Sequence, residues 1–401
     1  MTNVRKALFD RLLDFLPAFI ALVAAFAVAS LLLLSLNANP ATAVVALWQG
    51  AFGSENATAE TLVKATPILF VAIGITIAFR GGIINIGGEG QMIIGALAGT
   101  AVALPLGQST SFWIAVPATL ITGFVAGGLY GGLAGYLKAY FDVNEILSTI
   151  MLNQVAVQMM NYLLSGVMLD PADVDSHIPK TARLEAAAQI PRMFIPLPGE
   201  AALFDRTRLH YGLLIGVVLA ILVYIFLWRT SLGYRIRMVG KNARASRYAG
   251  IGVERQTVFA MFLAGGCAGL AGVVQVMGLQ YRLQTDGSPL GFTGNAGFNG
   301  IVAALFGGLN PIGAIPASAF FGSLLVGAQR MQRELGVNAS LITTINGLIV
   351  VFVVSSQIWV RQRAKRRASG PPDQRPQQTA GESPLLTTDT STNTAPAGGT
   401  D

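Results

Sequence analysis

Residues 90–137 contain no Asp, Glu, Lys or Arg. A helix needs about 20 mostly apolar residues to cross a bilayer. This one stretch therefore accommodates two spans, interrupted near Leu106–Ser111 by glycine and polar residues. The same counting extends along the chain. Leu16–Leu36 is the strongly apolar part of the charge-free residues 15–54, and Lys64 to Arg80 encloses a short second span. Residues 146–169, 211–228 and 256–281 give one span each, 287–329 gives two with a break at Asn310-Pro311, and 335–360 gives the last. The pattern predicts an all-α polytopic membrane protein of about ten transmembrane helices. Eight is the alternative, if the short second span and one of the 287–329 pair are re-entrant. Composition agrees: 12% of the 401 residues are charged, against about a quarter in soluble domains.

An even span count puts both termini on one side. With the N-terminus inside, the inner segments hold 18 of the 27 Lys and Arg residues, seven of them between Arg229 and Arg255 and six after Val360. Positive residues favour the cytoplasmic face, so both termini are expected to be cytoplasmic. The net charge of +7 is thereby read as membrane orientation, not as nucleic-acid binding. The chain divides into an N-terminus (1–15), a membrane domain (16–360) with a long outer loop (170–210) and a cytoplasmic loop (229–256), and a tail (361–401) whose Pro, Thr, Ser, Gly and Gln content predicts disorder. No signal-peptide cleavage pattern follows the first apolar run, so that helix is expected to be retained. Cys267 is alone, and His177 and His210 are far apart without further ligands, so neither disulfide nor metal site is expected.

Gly123, Gly127, Gly131 and Gly135 recur every four residues in the fourth span, and Gly265 and Gly269 do so in the seventh. Such strips let helix backbones approach closely in lipid. They are read as helix packing within one subunit.

Two other glycine clusters are of a different kind. Asn85–Gly90 (NIGGEG) precedes the third span, and Asn295–Gly300 (NAGFNG) leads into IVAALF. By the span count the first lies at the inner face and the second at the outer face. Corresponding positions of opposite orientation are what an inverted repeat gives, here spans 2–5 against 7–10. Ordinary turns at the bilayer edge are the alternative. Glu89 is the one charge near an apolar core. It is expected to stabilise a helix break by accepting hydrogen bonds from backbone N–H groups or from a basic residue such as Arg80. Asn85 and Gln91, which both donate and accept, are the better candidates for direct contact with a polar solute.

The basic loop RTSLGYRIRMVGKNARASRYAGIGVER begins at Arg229. Asn242 can cap a short helix, Ala243–Tyr248, ending at Gly250. MVGKN lacks the glycine spacing and the Ser or Thr of a phosphate loop, so any ATP-driven motor belongs to another chain.

GYRIRMVGKNARASRYAGI resembles the loop of permease subunits of bacterial ATP-binding-cassette (ABC) importers for branched-chain amino acids, ribose and nucleosides. NIGGEGQMIIGALAG, VNEILSTIMLN (Val143–Asn153) and GFNGIVAALFGGLNPIGAI (Gly297–Ile315) resemble the general nucleoside, or simple-sugar, permeases. The likeness covers roughly residues 17–359; Val143-Asn144 stands where a histidine is common. It implies a multi-pass protein of the bacterial plasma membrane that forms the translocation pathway of a nucleoside importer. Partners would be an ABC ATPase subunit, a second, shorter permease and an external substrate-binding lipoprotein. No cofactor is implied in this chain, since ATP binds the ATPase subunit. Read from the clusters themselves, Asn85, Glu89, Gln91, Asn153, Asn295 and Asn299 are expected to serve the pathway or its gating, and the capped segment with its resemblance to coupling loops gives ATPase coupling through Arg237, Gly240, Asn242, Ala245 and Gly250. A ribose or other sugar permease is the alternative. A secondary carrier fits less well, because ion-coupled carriers place ionisable residues in mid-span. No catalytic constellation lies in the spans.

Overall fold

The computed structural model describes residues 39–172, 178–194, 203–288 and 291–336, with scattered positions between 23 and 35 and between 344 and 351. The helices in chain order are α1 (Pro40–Phe52), α2 (Glu55–Arg80), α3 (Gly88–Ser109), α4 (Phe112–Phe141), α5 (Glu145–Leu164), α6 (Gly212–Arg229), α7 (Ser231–Lys241), α8 (Ala243–Tyr248), α9 (Val253–Gln275), α10 (Ala296–Phe306) and α11 (Pro311–Leu335). A π-helical turn, Val276–Gln280, extends α9. No β-strand occurs among the described residues, only two isolated bridges. Among the described residues six helices are long and apolar enough to cross a membrane: α2, α3, α4, α6, extended α9 and α11. The predicted first and last spans and the 361–401 tail fall largely or wholly outside the described residues.

Two expectations about the spans are corrected. Counting from charge to charge began the second span at Lys64, yet α2 begins at Glu55, where the Ser54 hydroxyl caps it by accepting the Ala57 N–H at 3.1 Å. Lys64 is therefore inside a 26-residue helix. The 287–329 stretch does break at Asn310-Pro311, where the Asn310 side chain caps α11 at 3.1 Å. Its first half is α10, of 11 residues; at about 1.5 Å per residue that is half a membrane span.

The packing has a repeated pattern. α9 packs along α4 and α3, while α2 packs along α11 and α10; α3 pairs with α4, and α10 with α11. Exchanging α2 with α9, α3 with α10 and α4 with α11 reproduces the same set of partners. α2 and α9 are antiparallel at the centre: a Cβ on Gly81 would lie 3.3 Å from the Ala260 methyl, one on Gly74 would lie 3.1 Å from Cys267 Cβ, and Val63 shares a cavity wall with Leu279. The predicted glycine strips face each other across α4 and α9. A Cβ on Gly127 would sit 2.5 Å from the Gly265 carbonyl oxygen, and one on Gly131 2.6 Å from that of Met261. Backbone meets backbone there, as small residues permit in lipid.

The described part of the outer loop is irregular but tied down. Thr181, Leu184 and Ile190 donate backbone N–H bonds to Leu283, Tyr281 and Met277, all at 2.8–2.9 Å. Leu184, Ala188 and Ile190 are buried. Arg208 forms a bidentate pair with Glu60 of α2 at 2.6 and 2.7 Å. His210, whose pKa burial pushes down to about 4, accepts the Gly212 N–H at 3.1 Å. These contacts seat the described part of the loop on the end of α9.

Candidate functional site

After Arg80 the chain does not stay at the end of α2. Gly82, at φ +80°, turns it, and the segment Ile83–Gly87 leads back into the bundle. Asn85 shapes this return: its Oδ1 accepts the Gly87 N–H at 2.9 Å, and its amide pairs reciprocally with Gln91 at 3.0 and 3.1 Å. Asn153 of α5 braces the same turn, accepting the Gly90 N–H at 2.8 Å and donating to the Ile86 carbonyl at 3.0 Å. A Cβ on Gly88 would stand 3.1 Å from Val71. Val71 precedes Arg80 by nine residues, about 14 Å along the helix, so α3 starts deep within the bundle.

The second cluster arrives at the same place. A Cβ on Gly300 would stand 2.6 Å from the Val71 side chain, and one on Gly297 2.6 Å from Glu89 N. The two clusters are thus not at opposite faces, as span counting placed them: both re-enter, and the starts of α3 and α10 meet.

Glu89 lies between them, 4% exposed. It sits in the first turn of α3 and its Oε1 accepts N–H bonds from Gly297 at 2.8 Å and Phe298 at 3.3 Å in the first turn of α10. The unsatisfied N–H groups and positive dipole end of a helix favour a carboxylate there. One side chain thus serves the N-termini of two helices. Asn295, at φ 65°, gives the opening turn of α10 no side-chain cap of its own. Arg80, the other partner expected for Glu89, is engaged elsewhere. Its guanidinium donates to the carbonyls of Leu309 at 2.8 Å and Gly308 at 3.2 Å, just past the end of α10, and lies 5.2 Å from the centroid of the Trp228 ring. The short helix is held by an acid at its N-terminus and a cation at its C-terminus, each matching the local dipole.

The predicted site residues thus divide. Asn85, Gln91 and Asn153 are buried and occupied with the backbone and each other. Glu89 joins the two helix starts. Asn295 and Asn299 lie on α10's first turns, and Asn299 Nδ2 is buried without a hydrogen-bond partner among the described residues.

Sequence reasoning missed Lys64. Beside the meeting point is a cavity of about 110 Å³ whose walls include Lys64, Gln275, Gln280, Phe292, Thr293 and Ala296. Thr293 also stands against the Glu89 carboxylate. Reading Lys64 as the end of a span hid it; the signal available was Ser54-Glu55, a capping pair nine residues earlier.

The basic loop folds as predicted. Asn242 caps α8 by accepting the Ala245 N–H at 3.0 Å, and the chain turns at Gly250, φ +77°. A Cβ on Gly240 would collide with the Arg80 carbonyl and Gly82, which seats α7 on the end of α2. Arg237 donates to the Leu227 carbonyl at 2.9 Å and lies 5.6 Å from the centroid of the Trp228 ring. Only Ser246 of α8 is buried, and Tyr248 is 95% exposed. A groove of about 570 Å³ runs beside α8, walled by Tyr234, Met238, Asn242, Ala245 and Ile251.

Residues 57–355 match the family described as branched-chain amino acid transport system / permease component. The guanosine ABC transporter permease protein NupP of Bacillus subtilis is 34% identical, over 86% of this chain and 94% of that one. The glucose ABC transporter permease protein TsgB13 of Haloferax volcanii is 31% identical, over 86% and 88%. A second Bacillus subtilis protein, the guanosine ABC transporter permease protein NupQ, is 29% identical over 65% of this chain and 79% of that one. No solved structure matches the chain significantly.

Proposed function

The chain belongs to the branched-chain amino acid transport system permease family, and on that premise we propose that it is the membrane-spanning permease subunit of an ABC importer for nucleosides. The likeness to a guanosine permease over 94% of that protein's length carries the substrate class. The glucose permease at 31% identity keeps a sugar importer as the second reading. Uptake separates them: reconstituted with its ATPase and binding protein, the complex imports labelled guanosine in preference to glucose, and the reverse preference overturns the nucleoside reading.

The inferred architecture is an inverted repeat, α2–α5 against α9–α11 and residues beyond, with both termini cytoplasmic. The exchangeable packing of α2, α3 and α4 with α9, α10 and α11 supports it. Substrate would pass near the re-entrant starts of α3 and α10, where Glu89 acts as a latch that holds the pathway closed. Irregular backbone at that depth is tolerated where it is buried in protein or lines a cavity. A second permease subunit is part of the proposal; that two guanosine permeases from one bacterium both resemble this chain supports it.

Coupling to the ATPase runs through α8. A six-residue helix with a single buried residue contributes little to its own fold, and its exposure suits a docking element. The loop is anchored through Gly240 and Arg237 to α2 and α6, so a push on α8 reaches Arg80 and through it α10. Ala245→Arg, on the exposed groove wall, is expected to leave insertion intact and to uncouple ATP hydrolysis from uptake. Normal substrate-stimulated hydrolysis by the variant complex refutes this role.

A further inference from the structure

We propose that the cavity between α2, the π-helical turn after α9 and the segment before α10 is a subsite for the hydroxyl groups of the transported solute, with Lys64 as donor and Gln280 as acceptor. The inference rests on the importer reading above and adds to it a location and a chemistry. Three observations carry it. Lys64 lines the cavity and has no ion pair or hydrogen bond among the described residues. Lys64 is half-buried, and an ionisable side chain within a spanning helix that lines a cavity marks a solute path. Gln280 lines the same cavity, and its Oε1 is enclosed with no partner among the described residues, so that a turn of the amide would present it to the cavity. Such an acceptor is rarely left unmade without a function. Thr293, on the cavity wall, also touches the Glu89 carboxylate, so a solute here abuts the latch.

The chemistry selects the ligand. Lys offers donors only, while the amide oxygen of Gln only accepts. A vicinal diol answers both, because one hydroxyl oxygen accepts from Lys64 while the other hydroxyl donates to Gln280. At about 110 Å³ the space is below the roughly 300 Å³ of a site enclosing a whole ligand. It suits one ring, the pentose of a nucleoside. Gln275 is held away from the ligand by donating to the Phe292 carbonyl. The remaining walls (Val63, Pro67, Ile68, Leu279) are apolar.

The test uses the complete importer in proteoliposomes and reads a ratio, uptake of guanosine over 2′,3′-dideoxyguanosine, with the same binding protein throughout. Lys64→Met and Gln280→Leu are each expected to lower that ratio about tenfold, the size of one charge-assisted or buried hydrogen bond; Lys64→Arg retains it. An unchanged ratio in both variants overturns the subsite. If the wild-type complex imports glucose and not guanosine, the nucleoside reading falls instead, and glucose over a deoxyglucose gives the ratio that decides the subsite. A second measurement does not depend on a transporting variant. The native thiol, Cys267, is buried, so Lys64→Cys presents an accessible thiol in an otherwise native chain. During turnover, guanosine is expected to slow its labelling by a small thiol reagent about fivefold by occupancy. Labelling indifferent to guanosine overturns the proposal.

Discussion

The two Asn/Gly clusters look alike in sequence and begin two helices that meet, but they are held differently. The start of α3 is fixed many times over: Asn85 closes the turn and pairs with Gln91, and Asn153 grips both Gly90 and Ile86 from a neighbouring helix. The start of α10 has no comparable clasp among the described residues. Asn295 caps nothing, Asn299 Nδ2 has no partner, and the N–H groups of Gly297 and Phe298 depend on a carboxylate carried by the other helix. The preceding segment includes Gly294 at φ +58° with open space around it. If Glu89 is the latch proposed above, a fixed start and a borrowed one assign the parts: α3 would keep its place, and α10 would move on release.

The largest expected effect is from Gly297→Val. Its Cβ would enter the space of Glu89 N and the carboxyl carbon, at 2.6 and 2.8 Å. Overpacking of about 3 kcal/mol would depopulate the latched arrangement about a hundredfold, read as solute leak with loss of ATP-driven uptake in a chain that still inserts. Near-normal uptake would mean that the two starts need not meet. Next is Asn153→Ala, which strands a buried N–H and a part-buried carbonyl. About 2 kcal/mol of stability is expected to go, seen as a lower thermal midpoint with substrate preference intact. If α3 proved indifferent to this loss, the contrast of fixed against borrowed would disappear.

Glu89→Gln sharpens the contrast. The amide preserves shape but replaces charge-assisted bonds with neutral ones, worth about 1 kcal/mol less. Uptake is expected to become slow or leaky by about tenfold or less without change of preference. Altered preference among nucleosides, at normal expression and ATPase coupling, would instead make Glu89 a recognition residue. The smallest effect belongs to Asn299→Ala: an amide with an unpartnered nitrogen gives up little, and stability should stay within about 0.5 kcal/mol. A large loss of transport there would show that α10's polar face meets substrate in another state.

What the sequence makes legible is local. Asn242 and Gly250 bracket α8 to the residue because capping is decided within one turn. The four-residue glycine spacing announces a close-packing face on α4 and another on α9 for the same reason. Meeting points are not local. Nothing between Asn85 and Gly300 states that the two clusters converge, since the chain must first cross the membrane several times. Counting charge-free residues also misplaces Lys64, because the method assumes that a charge marks the water boundary. A lysine facing a cavity inside α2 violates that assumption, and so signals a site. The polar cluster residues Asn85, Gln91 and Asn153 were found by type, but whether an amide serves substrate or backbone depends on partners that spacing does not reveal.

The glycine seam between α4 and α9 has an evolutionary consequence. Every other amino acid carries a Cβ, and at Gly127 and Gly131 that atom alone would lie within 2.6 Å of a facing carbonyl oxygen. No substitution is a small step there. Elsewhere in the core a lineage can drift from leucine to isoleucine to valine in tolerable increments. Along this seam the only neighbouring genotypes are damaged ones, so a change on either helix survives only if the other backbone has already moved away. The seam is a place where the chain's history cannot be gradual.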